Sequence, residues 1–485
     1  MMNFKLVYKV VGSLLFIEAV MMLSCLAVSI FYKEDDIFAF LITIAVTVLA
    51  AVGLKYKGYG AENSMGRREA YLLVTLIWVI FSALGALPFV ISGYLTSYTD
   101  AFFETMSGFT TTGATIIDDV EALPHGLLFW RSLTHWIGGL GIMFFTIAIL
   151  PSLVGGSVKV FSAEATGPIK SKMHPRLSTT AKWIWAIYLI ITSACAVCFW
   201  LFGMDVFDSI NYSMSIAATG GFATHNASMA FFDSAAIDYT AAIFMILSGV
   251  NFSLLYMLIL KGKIKQFVKD SELRFYLGVI SISTLFITYI LITRSGHTIA
   301  DSFRFALFQV SSFISTTGLF NTDAGLWPHI TWLALTICMV FGSCAGSTSG
   351  GIKCIRGAML VRIIRNEFKH LLHPRAVIPV KLNGTTIPHQ AQTTLLVFLA
   401  LYGISCLVAF FCFQLMGIES TNAITIAISS ASNVGPSLGA DIGPTMSWSS
   451  LPDTGKWICS VLMLLGRLEF LSVMVLFTRS FWKEN

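Results

Sequence analysis

Long apolar runs separated by short polar intervals dominate the chain. Ten of them, at 14–31, 37–54, 71–92, 127–154, 183–202, 239–260, 275–293, 330–351, 395–415 and 457–476, approach or exceed the roughly 20 residues that a helix needs to cross a bilayer core. Between the later runs lie four shorter, moderately apolar stretches. Each starts near an acid: Asp100, Asp208, Asp301 or Glu419. Each ends on a cluster of small residues: Thr110-Thr111-Thr112-Gly113-Ala114, Ala218-Thr219-Gly220-Gly221-Phe222, Thr316-Thr317-Gly318-Leu319-Phe320 and Ser432-Asn433-Val434-Gly435-Pro436. Taking Gly113, Gly220, Gly318 and Gly435 as the equivalent glycines, the spacings are 107, 98 and 117 residues. One unit is used four times: helix, short re-entrant helix, glycine loop, helix.

The pattern predicts an all-α membrane protein with ten transmembrane helices. A two-helix preface occupies 1–70, and pore repeats occupy 71–165, 166–270, 271–385 and 386–485. Composition agrees. Of 485 residues, 56% are hydrophobic and 12% charged, about half the charged fraction of a soluble domain. The basic beginning (Lys5, Lys9) lacks a small-residue cleavage site and is soon followed by a second span, so it reads as a retained helix and not a signal peptide.

Charge then sets the topology. The net charge of +5 is concentrated in 151–182, 261–274 and 353–381, whereas 95–128 holds five acids and 203–238 four, with no Lys or Arg in either. The positive-inside rule places both termini in the cytoplasm and brings the glycine loops in from outside. The basic segments are therefore topology signals, and no nucleic-acid site is indicated. The nine cysteines are scattered through apolar runs. Cys195 and Cys198 form a CxxC inside an expected span, where packing is the natural role.

The loops carry the chemistry. Glycine takes positive φ without steric cost, which lets successive carbonyls turn to one side. The residues before each glycine, Thr111-Thr112, Ala218-Thr219, Thr316-Thr317 and Asn433-Val434, are small, β-branched or polar, and no acid lies among them. Neutral oxygens suit a large, weakly hydrated monovalent cation, whereas a divalent ion would want carboxylates. Four such loops around one axis would make a carbonyl ring able to replace the hydration shell of potassium. The short helices would aim the negative ends of their dipoles at that axis.

Four further features stand out. The run at 330–351 meets ten consecutive small residues, Gly342-Ser343-Cys344-Ala345-Gly346-Ser347-Thr348-Ser349-Gly350-Gly351, followed by Lys353. Four glycines make a continuous helix costly, and irregular backbone at membrane depth belongs where it lines water or is buried in protein. A flexible loop across the pore is expected, and Lys353 to Lys369 should lie at the cytoplasmic face. Arg467 and Glu469 interrupt the last apolar run; Arg467 points into the pore or pairs with an acid elsewhere. Glu18 lies within the first span and reads as a partnered structural acid. Arg131 and His135 lie one turn apart, and His135 reads as a satisfied packing residue. The sequence has no nucleotide-binding P-loop and no paired nucleophile and base at motif spacing, which disfavours an intramembrane enzyme.

On these loops, the two-helix preface, the small-residue break and the arginine of the last helix, the chain resembles the Trk/Ktr/HKT superfamily of potassium transporters, in its bacterial Trk branch. The resemblance covers essentially the whole length. It implies a potassium filter lined by the four glycines, with potassium ions as cargo and no covalent cofactor. It also implies a homodimer embedded in inner-membrane lipid, each subunit with its own pore. A cytoplasmic, TrkA-like nucleotide-binding ring would regulate it. Proton- or sodium-coupled potassium symport is the alternative mechanism, with Glu18, Arg467 or Glu469 as relay groups.

Overall fold

The structure is a computed structural model that describes residues 2–62, 65–141, 177–376, 378–439 and 442–483. It is predominantly helical. A single two-stranded hairpin among the described residues pairs Lys381–Leu382 with Thr385–Thr386. Its turn is Asn383-Gly384, both at positive φ, as a two-residue hairpin turn requires.

Among the described residues, six helices are long and apolar enough to cross a membrane: Phe4–Tyr32, Ile37–Lys57, Arg67–Ile91, Ala181–Leu201, Ser271–Ser295 and His389–Leu415. Two expected spans, 239–260 and 457–476, are not continuous. The first is Ala235–Ser248 followed by Phe252–Ile259, bent by 104°, and the second is Asp453–Leu468 followed by Phe470–Phe477, bent by 111°. The first bend is possible because its freed backbone groups find partners in protein. Gly249 O accepts from Cys344 N at 3.0 Å, Phe252 N donates to Gly346 O at 3.0 Å, and the Asn251 side chain accepts from Ser253 N at 2.8 Å. The second bend falls on Glu469, at φ 63°, whose carboxylate is held by Arg356 at 2.8 Å.

The run at 330–351 breaks where its glycines begin. Helix His329–Phe341 stops at Gly342, and a new helix, Cys354–Leu372, starts after Lys353. The run at 127–154 is described as helix His125–Leu140; its remainder from 142 on lies outside the described residues, as do Lys159, Glu164, Lys170, Lys172 and Arg176 of the basic stretch 151–182.

Two large apolar clusters hold the bundle together. One joins the first three long helices to the C-terminal unit, for example Leu14, Trp78 and Phe109 with Phe398 and Leu465. The other joins the middle of the chain, for example Tyr188, Phe252, Tyr276 and Phe313. Glu18 departs from expectation. It is 1% exposed, yet among the described residues neither carboxylate oxygen has a hydrogen-bond partner. Its Oε1 stands 3.5 Å from where a Cβ on Gly85 would lie, so it is wedged against the third long helix.

Candidate functional site

Four short helices, Tyr98–Phe109, Val206–Ala218, Ile299–Ile314 and Ser420–Ser432, carry the glycine loops. Acids mark their N-terminal ends, where they complement the helix dipole. Asp100, Asp208 and Asp301 lie in first turns, and the Glu419 side chain caps the last helix by accepting from Asn422 N at 3.4 Å. At the other end the four helices stop alike. Thr111, Thr219, Thr316 and Asn433 sit at φ 53°, 55°, 58° and 55°, and the second residue after each is a glycine at φ 81°, 93°, 80° and 98°. Asparagine tolerates this left-handed conformation; threonine, being β-branched, rarely adopts it. Three threonines held there store roughly 1–3 kcal/mol of strain each, and such strain persists only where the surroundings enforce it.

This common register corrects the second loop. The positive-φ glycine there is Gly221, not Gly220. Gly220 occupies the place of Thr112, Thr317 and Val434, and Ala218 is the last residue of its helix, one place before the left-handed position. The spacings of equivalent glycines become 108, 97 and 117. Asn433 likewise corresponds to Thr111 and Val434 to Thr112, so the fourth loop keeps the backbone pattern with different side chains.

In this register the loops close a ring. A Cβ on Gly113 would overlap Gly220 O; on Gly221, Thr317 O; on Gly318, Val434 O; and on Gly435, Thr112 O at 2.5 Å. Each turning glycine therefore lies against the carbonyl that precedes the next loop's glycine, in the cyclic order first, second, third, fourth, first. Only a residue without Cβ permits that approach. Beyond the glycines, on one side of the ring, Gly113, Gly221, Gly318 and Gly435 line a cavity of about 120 Å³ together with Asp118, His225 and Trp448.

Buried contacts brace the ring from outside. Glu104, wholly buried, pairs with Arg131 at 2.8 Å. Its carboxylate also accepts from Ile116 N and Thr115 Oγ1 of the first loop, while Arg131 Nη1 donates to Ala223 O of the second at 3.0 Å. Ser215 Oγ accepts from Gly221 N, Ser312 Oγ donates to Leu319 O, and Asn433 Nδ2 donates to Thr112 Oγ1 and Met463 O. Sequence reading missed Glu104, because nothing near it in the chain distinguishes it from the other outer acids.

The segment 342–353 packs against the opposite side of the ring. Thr348 Oγ1 donates to Ala217 O at 3.0 Å and accepts from Thr219 Oγ1 at 3.3 Å. Gly350 N donates to Thr316 Oγ1 at 2.8 Å, and Gly351 N to Ser432 O at 2.8 Å. Gly342, Gly346 and Gly351 all lie at positive φ, and Ser347 Oγ bonds Cys344 O and Ser349 Oγ. Lys353 is not at a surface. It is 2% exposed, and its ammonium donates to the Ser349 carbonyl within the same segment. Arg467 donates to Thr348 O at 2.5 Å and to Gly138 O and Gly139 O at 2.6 Å. Glu272, which the sequence did not single out, accepts from Ala345 N at 2.5 Å and from Ile355 N at 3.1 Å, clasping both ends of the segment.

The chain as a whole has known counterparts. The family model TrkH, described as "Cation transport protein", matches residues 36–484. The chain belongs to the TrkH family. Among curated relatives, the Trk system potassium uptake protein TrkH of Escherichia coli (strain K12) is 35% identical over the full length of both chains. The Trk system potassium uptake protein TrkI of Halomonas elongata is 32% identical over 99% of this chain and 97% of its own. The crystal structure of the potassium transporter TrkH from Vibrio parahaemolyticus superposes with a TM-score of 0.89 at 34% identity, covering 99% of this chain and all of that one. The TrkH family is a transport family, so this chain is not an enzyme, and its apolar helices are those of a membrane protein.

Proposed function

We propose that this TrkH-family chain takes up potassium across the bacterial inner membrane through a selective, gated pore. The ring closed by Gly113, Gly221, Gly318 and Gly435 carries the reading. Carbonyls of Thr111, Thr112 and Gly113, of Thr219, Gly220 and Gly221, of Thr316, Thr317 and Gly318, and of Asn433, Val434 and Gly435 hold the dehydrated ion. The full-length relatives named as potassium uptake proteins support potassium as the cargo. The ten-span, four-repeat plan has two N-terminal helices outside the pore and both termini in the cytoplasm.

The segment 342–353 is the gate. It lies against residues at the ends of three of the four short helices, and Arg467 fastens it. The chain acts as a homodimer, and a TrkA-like nucleotide-binding ring regulates it from the cytoplasmic side. The protein reconstituted in liposomes tests the reading. Rubidium and potassium should enter down their gradient, and the reversal potential should follow potassium alone. A reversal potential that shifts with the proton or sodium gradient would instead establish symport and overturn the simple pore.

A further inference from the structure

The second loop alone places a glycine, Gly220, where the others carry Thr112, Thr317 and Val434. Its backbone does not demand this, since the positive φ belongs to Gly221. The space does. A Cβ on Gly220 would overlap the imidazole of His135, a wholly buried residue of helix His125–Leu140. That imidazole stacks on Phe222 with centroids 4.0 Å apart and planes at 26°.

Both ring nitrogens are used. Nδ1 lies 2.7 Å from Gly108 O, near the end of the first short helix, and Nε2 lies 3.1 Å from Phe222 N in the second loop. A carbonyl only accepts and a backbone N–H only donates, so the ring must be the neutral Nδ1–H tautomer. An imidazolium would set a donor against Phe222 N–H. One turn earlier Arg131 stacks over the same Phe222 ring, 4.1 Å from its centroid.

We propose that His135 is the side chain missing from the second loop: a positioning residue that spans the first and second quarters of the ring and sets their spacing, with Gly220 kept bare to admit it. The inference rests on the reading of the ring as an ion filter. It predicts that positions 135 and 220 act as one unit. Gly220→Thr, which installs the residue found in the first and third loops, must collide with the imidazole. His135→Ala removes two buried hydrogen bonds and leaves a gap that the threonine could fill.

The test compares Gly220→Thr, His135→Ala and the double variant in liposomes, measuring the potassium-to-sodium permeability ratio, rubidium uptake at matched protein and thermal stability in detergent. Gly318→Ala, which touches neither residue, serves as the control for the filter. Each single change at positions 135 and 220 should lower the permeability ratio roughly tenfold, the scale of two lost net hydrogen bonds. The double variant should exceed both singles in ratio and uptake. If Gly220→Thr alone fails to assemble, recovery of assembly and selectivity in the double variant carries the same conclusion. A double variant no better than His135→Ala, with Gly318→Ala impaired in selectivity, overturns the role of His135 and leaves the filter standing. Unchanged selectivity in Gly318→Ala removes the filter, and this inference with it.

Discussion

Arg467 Nη1 lies 2.5 Å from the carbonyl oxygen of Thr348, the residue whose hydroxyl meets Thr219 of the second loop. The guanidinium thus fastens the segment across the ring while its other branch holds Gly138 O and Gly139 O. A charged hydrogen bond of this kind contributes about 1.5–3 kcal/mol. Arg467→Ala should release the segment, remove a fixed positive charge beside the proposed ion path and raise basal rubidium flux roughly tenfold. Wild-type flux in a stable variant would argue against this role.

Deleting residues 346–350 removes Thr348 and Gly350, the contacts to Ala217, Thr219 and Thr316. The ring itself is untouched. Flux should rise and lose its dependence on a regulatory partner while selectivity for potassium survives. Rubidium uptake in liposomes at matched protein density would show it, and lower uptake by a correctly assembled deletion would count against a gate.

Glu272 accepts from two buried backbone N–H groups. Each buried donor left unpaired costs about 1–3 kcal/mol. Glu272→Ala should loosen both ends of the segment, lowering the melting temperature and raising flux together. Glu272→Gln keeps an acceptor and should retain most of both properties.

A Cβ on Gly113 collides with Gly220 O. Gly113→Ser should therefore push the second loop outward and admit sodium. The permeability ratio of potassium to sodium reads this directly, and an unchanged ratio in folded protein would remove Gly113 from the filter.

Glu104 and Arg131 form an ion pair with exposures of 0% and 2%. Removing one partner of such a pair typically costs about 3–5 kcal/mol, because the other charge stays buried. Glu104→Ala should lower the melting temperature sharply. Equal stability of Glu104→Ala and the parent would show that the pair is dispensable.

The sequence by itself determined the membrane class, the places of the four short helices and the break after Phe341. These follow from hydropathy and glycine content, which act within a few turns of one helix. It also marked Thr111, Gly113, Thr316, Gly318 and Gly435, where a loop pattern repeats. Tertiary structure decided the rest. Gly220 and Gly221 are indistinguishable in a string of letters; His135, 85 residues before Gly220, fills the space of a Cβ on Gly220, whereas Gly221 is bare for its positive φ and the approach of Thr317 O. Lys353 looked like the first of a basic surface run and is buried, because the segment before it folds back to meet its ammonium. The bends at Gly249 and Glu469 were equally hidden. A helix breaks at membrane depth only where distant groups accept its freed hydrogen bonds and charges, and those partners, Cys344, Gly346 and Arg356, are neighbours in space alone.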